Sequence, residues 1–528
     1  MPVERGGIGQ LTWRSSRLFP DRIAVEYGDV ALTYAQVEER ADKLAAALAA
    51  LGIARGDTVL LLYPNDHRFV EIFLGVPRIG AVPVLGNVKL GTETLAYIAS
   101  HCEASVLVSH ASVGEKIRDV LADVPSIRHA IVAGGGVPGA HDYEELIDGV
   151  GVGAGAVDAD PRELGLLMYT SGSSGRPKGV MLSHENTLWQ ARSSARVMMF
   201  DDEDKALVFG PLYHANALWS CMLPMLYVGG GLAVLDGFDP PGALAAIERY
   251  RPTFTSGTPS MFTLLLNEHD RNPVHDVSSL ELLMCGSAPV PEELMVALNE
   301  RFGCEVVEGY GLTEGGATLE TPRWGIKKLG STGLPVPESE VRVADLDDPS
   351  RDCDADEVGE LWTRSPANAI GYLKQSDVTA ERFTPDGWLR TGDLVRRDAD
   401  GYFSIAGRKD DMINIGGENV YPKEVETILL QHPEVDDVAV VPTAHKVKGA
   451  APVAWVVRRG AQPVDEEELK RFFFERGPAY AHPRRIFFVD ELPVSGTNKI
   501  DRKWLTEEAA RLLPDGIGGE ARESAARS

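Results

Sequence analysis

A chain of 528 residues is too long for one hydrophobic core, so several folding units of roughly 150 residues each are expected. A formal net charge of −26 argues against a nucleic-acid partner, whose phosphate backbone would be repelled overall, and any polyanionic substrate must find a local basic pocket. The cysteines, Cys102, Cys221, Cys285, Cys304 and Cys353, form no C-x-x-C pair, which fits neither a zinc site nor a disulfide framework and suggests a reducing cytoplasm.

The N-terminal MPVERGGIGQ has no apolar segment, so no secretory signal is expected. Thr33 followed by Gln36 predicts a capping box, Leu44, Leu48 and Leu51 repeat on one helical face, Gly52 ends that helix, and residues 59–62 read as a buried strand. Similar α/β units follow at 67–79, 104–108 and 114–121, while Gly-rich 134–155 reads as loop. Residues 206–235 carry no Asp, Glu, Lys or Arg and could span a bilayer by length. His214, Asn216, Pro224 and Gly229-Gly230-Gly231 interrupt them, so no membrane span is expected; the pattern predicts strand, buried helix, turn and buried strand. After about residue 330, short strands at 341–343, 359–362 and 401–405 predict an antiparallel barrel or sheet. A smaller unit is expected from near Asp410, with a helix at 422–431, strands at 438–441 and 452–457, and a helix at 465–475. Residues after about 514 read as a disordered tail.

The most informative segment is 164–180, LGLLMYTSGSSGRPKGV: an apolar strand running into a loop of glycines and hydroxyls closed by Lys178. A triphosphate needs backbone N–H groups it can approach closely, hydroxyl donors and one mobile cation, and this loop supplies all three. It is not a Walker loop, because Lys178 sits between Pro177 and Gly179 rather than between Gly and Ser/Thr. Alone, the segment has a less favoured second reading, a solvated turn between a strand and a helix. Further motifs follow in order: Gly309-Tyr310-Gly311-Leu312-Thr313-Glu314, Gly387-Trp388-Leu389-Arg390-Thr391-Gly392-Asp393, Gly407-Arg408-Lys409-Asp410-Asp411, Gly416-Gly417-Glu418-Asn419-Val420-Tyr421-Pro422, and Pro493-Val494-Ser495-Gly496-Thr497-Asn498-Lys499.

Together these motifs resemble the adenylate-forming superfamily of acyl-CoA synthetases, adenylation domains and beetle luciferases, and the resemblance runs from about Leu11 to Leu505. It implies an α/β fold: a large N-terminal domain (1–409) of two doubly wound αβα subdomains plus a β-barrel-like subdomain, and a small mobile α+β C-terminal domain (410–528). It also implies ATP- and Mg²⁺-dependent activation of a carboxylate with release of pyrophosphate, then transfer to the thiol of CoA or of a carrier protein's phosphopantetheine.

On that resemblance Thr170, Ser171, Gly172, Ser173 and Lys178 cradle the β- and γ-phosphates, Thr313 bonds the α-phosphate and Glu314 holds Mg²⁺. Gly286, Ser287, Ala288, Gly309, Tyr310 and Gly311 flank the nucleotide. Asp393 offers two acceptors to the ribose hydroxyls, and Arg408 touches ribose or phosphates. Without the family, Asp393 could be a turn aspartate and Asp410 a loop carboxylate paired with Lys409 or Arg408. Lys499 neutralises charge between carboxylate and α-phosphate in the first step; Asp410 is then the hinge, and Gly416 and Gly417 line the thiol channel. Tyr213, His214, Ala215, Asn216, Trp219 and Gly286 form the acyl pocket, with His214 flanking the adenylate and the thiol path. Amino-acid-activating members carry an aspartate aligned with Ala215, and its absence favours an acid without an α-amine.

The sequence reading is therefore a cytoplasmic acyl-CoA synthetase acting on a fatty, aryl or other non-amino acid. The alternatives are a stand-alone enzyme loading a carrier protein, a luciferase-like oxidation, and a catalytically dead nucleotide-binding regulator.

Overall fold

The apolar runs at 59–62, 106–108 and 206–208 fold as strands covered on both faces, which is why they lack an alternating pattern. The computed structural model describes residues 7–153, 155–170, 176–288, 290–415, 418–460, 464–493, 500–514 and 516–517. These fall into two compact units, one of residues up to 342 with 362–391 and 400–403, the other of 343–361, 392–399 and 404 onward. The fold is mixed α/β, with a large N-terminal and a small C-terminal domain.

The first unit contains two mixed sheets. One has eight strands in the order Gly371–Tyr372, Lys178–Ser183, Leu164–Thr170, Val82–Leu85, Thr58–Leu62, Val106–His110, His129–Ala133, His141–Asp142. The other has nine, in the order Leu334–Pro335, Gly316–Glu320, Glu305–Leu312, Leu282–Gly286, Phe254–Gly257, Lys205–Val208, Gly231–Val234, Ile23–Tyr27, Val30–Thr33. Val59, Leu61, Leu166 and Met168 of the first sheet share one core with Val208, Phe254, Met284 and Val307 of the second, and Leu44, Phe73 and Leu218 from the intervening helices complete it. The outer face of the nine-stranded sheet is covered by Pro240–Tyr250, Pro259–Arg271 and Glu292–Phe302. Thr92–His101 and Glu115–Asp123 cover the outer face of the eight-stranded one.

The expected capping box forms: Thr33 Oγ1 accepts from Gln36 N, the Gln36 side chain accepts from Thr33 N, and the helix Tyr34–Ala50 buries Leu44 and Leu48. The charge-free segment folds as expected into strand Lys205–Val208, buried helical turns and strand Gly231–Val234. No helix among the described residues is long and apolar enough to cross a membrane. The loop expected at 134–155 needs correction, because it holds strand His141–Asp142 and helix Tyr143–Asp148. The Asp142 side chain caps that helix by accepting from Glu144 N and Glu145 N, and buried Tyr143 donates its hydroxyl to Glu71. A local cap and one buried aromatic outweigh a Gly-rich composition.

Glu340–Ala344, Gly359–Arg364, Leu389–Arg397 and Phe403–Arg408 form a four-stranded sheet in that order, and the division between the units falls within it. The C-terminal domain has the order Glu418–Val420, Ile413–Ile415, Gly449–Arg458, Val435–His445, with Arg485–Val489 added parallel to Gly449–Arg458. Helices Pro422–Leu430, Glu466–Phe474 and Arg502–Leu512 pack against it through Val425, Leu429, Leu469, Phe473 and Leu505.

Candidate active site

The strand Leu164–Thr170 pairs antiparallel with Lys178–Ser183, and Thr170 stands opposite Lys178. The hydroxyl-rich segment therefore joins two strands of a hairpin rather than a strand and a helix. Thr170 and Lys178 flank its mouth; Ser171, Gly172 and Ser173 lie outside the described residues.

Lys178 Nζ lies 5.6 Å from the centroid of the Tyr372 ring, a cation–π distance. Tyr372 arrives on the two-residue strand Gly371–Tyr372, which adds antiparallel to Lys178–Ser183 with Tyr372 opposite Val180. Its hydroxyl donates to Glu314 Oε1 at 2.8 Å, and Glu314 O accepts from Ala369 N at 2.8 Å. Tyr372 thus links the lysine expected at the phosphates to the carboxylate expected at the metal. Sequence reasoning missed it, because a strand this short carries no periodicity. The one legible signal was Gly371: at φ +147° an added Cβ would overlap Thr379, whose hydroxyl accepts from Tyr372 N. Among the described residues no cluster of three or more His, Cys, Asp or Glu could hold a metal ion. A cation at Glu314 would draw its other ligands from phosphate oxygens and water, a donor set that suits Mg²⁺.

Gly286 and Gly309 end up side by side on adjacent parallel strands, near the C-terminal edge of the sheet where α/β proteins bind ligands. Tyr310, Gly311, Leu312 and Thr313 continue from Gly309 along and just past its strand. A Cβ on Gly286 would press on Gly309 O, and one on Gly309 would overlap Met284 Cε. Ser287 follows at φ +66°, a left-handed conformation that is costly for a non-glycine residue. Asn216 Nδ2 donates to Ser287 Oγ at 3.2 Å, and Ser256 Oγ donates to Asn216 Oδ1 at 2.9 Å. Ser287 and Ala288 are exposed.

Asn65 donates to the carbonyls of Gly210 and Leu235 and accepts from Leu212 N, fixing the turn ahead of Tyr213 and His214. Those two rings lie 5.2 Å apart, and burial pushes the Tyr213 hydroxyl up to about 12. Ala217–Met222 then adopts π-helical turns before the α-helix Leu223–Val228. Pro224, which has no N–H to donate, stands where the wider helix gives way to the tighter one. Such widened turns occur often at functional sites. Trp219 is buried here, and its indole N–H has no hydrogen-bond partner among the described residues.

In the second unit, Arg408 Nε lies 3.5 Å from Asp393 Oδ1, and the Asp393 side chain is 14 % exposed. Asp393 belongs to strand Leu389–Arg397 rather than to a turn, and it follows Gly392 at φ +73°. Glu360, not anticipated from sequence, accepts from Gly392 N and from Lys409 Nζ, both at 3.1 Å, while Lys409 N donates to Gly392 O. Asp393 is thus a carboxylate partner of Arg408, and Glu360 one of Lys409; Asp410 is exposed in the turn after Phe403–Arg408. Strands Ile413–Ile415 and Glu418–Val420 pair with Ile415 opposite Glu418; Gly416 and Gly417 lie outside the described residues.

Lys499 also lies outside them, but the described residues on either side, Pro493 and Asp501–Arg502, are anchored. Asp501 N donates to Pro493 O at 2.8 Å, and Arg502 makes a two-pronged pair with Glu426, 2.7 and 3.0 Å, while donating to Val440 O. Desolvation raises the half-buried Asp411 carboxyl, opposed by Arg502 and Arg408.

The model for AMP-binding enzymes matches residues 12–373, and that for the AMP-binding enzyme C-terminal domain matches 424–499. A feruloyl-CoA synthase of Amycolatopsis sp is 36 % identical over 497 residues, covering 94 % of this chain and 97 % of the relative. A 2-succinylbenzoate–CoA ligase of Bacillus licheniformis is 34 % identical over 496 residues, covering 93 % and 98 %. The crystal structure of the anthranilate CoA ligase AuaEII with anthranoyl-AMP superposes with a TM-score of 0.90 at 28 % identity, covering 98 % of this chain and 99 % of that one. With both family domains present in order along the chain, the protein belongs to the AMP-binding enzyme family and is an ATP-dependent, AMP-forming acid–thiol ligase.

Proposed function

We propose that the protein converts an aromatic carboxylic acid to its CoA thioester. The observation that carries this reading is the linkage of Lys178, Tyr372 and Glu314 beside a hydroxyl-rich hairpin, within a unit whose apolar pocket segment holds no carboxylate at Ala215. An acid oxygen attacks the α-phosphorus of ATP, the bond to the β-phosphate oxygen breaks, and pyrophosphate leaves. The CoA thiol then loses its proton and attacks the acyl carbon, releasing AMP.

Lys178 and Thr170, with Ser171, Gly172 and Ser173, hold the leaving phosphates. Thr313 bonds the α-phosphate, and Asp393 and Arg408 hold the ribose side. Glu314, oriented by Tyr372, would hold Mg²⁺, which supplies charge neutralisation to the departing pyrophosphate. Lys499 acts in the first step only, Asp410 is the hinge between a 1–409 domain and a 410–528 domain, and Gly416 and Gly417 line the thiol path. The relatives named above support an aromatic acid. Five buried free cysteines support a cytoplasmic setting.

The test is pyrophosphate release across fatty, aryl, hydroxy and amino acids, followed by CoA or a carrier protein as acceptor. We expect release that depends on aryl acids and an aryl-CoA product. ATP binding without acid-dependent release would overturn the ligase reading, and acceptance of a carrier protein instead of CoA would reassign the thiol.

A further inference from the structure

The hairpin formed by Glu305–Leu312 and Gly316–Glu320 carries two buried carboxyl groups of opposite character. Glu308 accepts from the Thr332 hydroxyl at 3.0 Å. Glu320 is 5 % exposed, and its Oε1 is buried with no hydrogen-bond partner among the described residues. A buried polar atom left unpaired costs stability, so its presence calls for a partner that the described residues do not supply.

The sheet register says where that partner would sit. Gly286 stands opposite Gly309, Gly309 opposite Glu320, and Glu320 opposite Leu334, so these four residues form one row across neighbouring strands and point to one face. Two of them lack a side chain, so the row offers backbone at Gly286 and Gly309 and ends in the carboxyl of Glu320. The same alternation puts Met284 on this face, and Met284 shares the central core with Trp219 and Leu218 of the π-helical turns. Met284 Cε occupies the space over Gly309, and methionine is the core side chain most able to move aside for a ligand. The unpartnered Trp219 N–H lies in the segment that covers this core.

We propose that Glu320 is a specificity-determining residue of the acyl pocket and hydrogen bonds a hydroxyl or aryl-amine group on the apolar body of the acid. The inference rests on the ligase reading above and adds the substrate's polar substituent to it. Burial raises the Glu320 carboxyl to about 8, with no charged neighbour contributing, so near neutral pH it is largely a neutral acid. In that form it both donates and accepts, which matches a neutral hydroxyl or amine rather than an ammonium. Glu308, on the opposite face, already has its hydroxyl partner within the chain.

The test uses pairs of aromatic acids that differ only in one ring hydroxyl or amine, moved around the ring, read as kcat/KM for pyrophosphate release. Their non-hydrolysable acyl-sulfamoyl adenosine analogues are read in parallel by calorimetry. The unmodified protein is expected to favour one substituted acid over its plain analogue by at least about ten-fold, since a site built for a polar group discriminates strongly against its absence. Glu320→Leu should bring that ratio near one, and Glu320→Gln, which keeps a donor and an acceptor, should restore part of it. Should the leucine variant fail to fold, Glu320→Met reads the same ratio. A wild-type ratio near one at every ring position, or an unchanged ratio in the leucine or methionine variant, overturns the assignment while leaving the ligase reading intact. Absence of both acid-dependent release and analogue binding overturns both.

Discussion

At the scale of the residue, Tyr372 joins Lys178, proposed at the phosphates, to Glu314, proposed at the metal, the ring facing the lysine and the hydroxyl donating to the carboxylate. Tyr372→Phe keeps the first contact and removes the second. We expect pyrophosphate release to fall by roughly ten-fold, with the Mg²⁺ concentration for half-maximal rate shifted upward, because a hydrogen bond to a charged group is worth about 1.5–3 kcal/mol. An Mg²⁺ titration of wild type and variant checks this, and unchanged curves would leave Tyr372 a packing residue. Glu320 makes a separate prediction about stability. Its folded carboxyl is raised to about 8 by burial, so it resists ionising in the fold while the unfolded chain ionises from about 4.5. Wild-type stability should therefore be flat below that range, fall as pH rises through it to about 8, and level off above. Glu320→Gln does not titrate, so its advantage over wild type should grow across the same window by a few kcal/mol at most, on the order of 1.4 kcal/mol per pH unit. Denaturant melts at pH 5.5 and 8 measure it.

At the scale of the element, Asn216 ties the start of the π-helical segment to two strand ends, through Ser256 and Ser287. Both functional groups of its amide are thus used within the fold. Asn216→Ala should cost about 1–2 kcal/mol of stability and reduce activity on hydroxylated and plain acids alike. Selective loss on the hydroxylated acid would show that the amide reads substrate instead. Much of this layer was legible beforehand: the Thr33 cap, the buried strands and the charge-free segment follow from side-chain periodicity and local capping. The π-helical turns were not, because their cause is how Pro224 and the neighbouring strands are met in three dimensions. Neither were Tyr372, Glu360 and Glu320. Each is an ordinary residue in an ordinary segment, and only contacts made by the folded chain, Lys178 and Glu314 for Tyr372, Gly392 and Lys409 for Glu360, and the strand register for Glu320, single it out.

At the scale of the whole molecule, the proposed reaction needs Lys499 in one step and its removal in the next. Lys499→Ala should lose roughly 10²–10³ in pyrophosphate release while still converting supplied acyl-adenylate to thioester, as expected when a preorganised charge is lost from a single transition state. Asp410→Pro, which fixes φ at the proposed hinge, should do the reverse. Rapid-quench measurement of the two half-reactions distinguishes these patterns, and equal losses in both steps for either variant would mean that the moving element lies elsewhere. The motifs that suggested this cycle were visible in sequence because they are contiguous, whereas the proposed acid selection rests on residues assembled across several strands.

The buried cysteines carry a consequence for an enzyme of this chemistry. An acyl-adenylate is an acylating agent, and any thiolate near it competes for the acyl group. Cys221 lies within the π-helical turns and Cys285 immediately precedes Gly286, yet burial pushes Cys221, like Cys102 and Cys304, up to about 12 and raises Cys285 and Cys353 as well. At neutral pH these sulfurs remain protonated and shielded, so they are poor nucleophiles. Self-acylation and mixed disulfides at these five sulfurs are therefore expected to be slow, and mass spectrometry after turnover should find them unmodified.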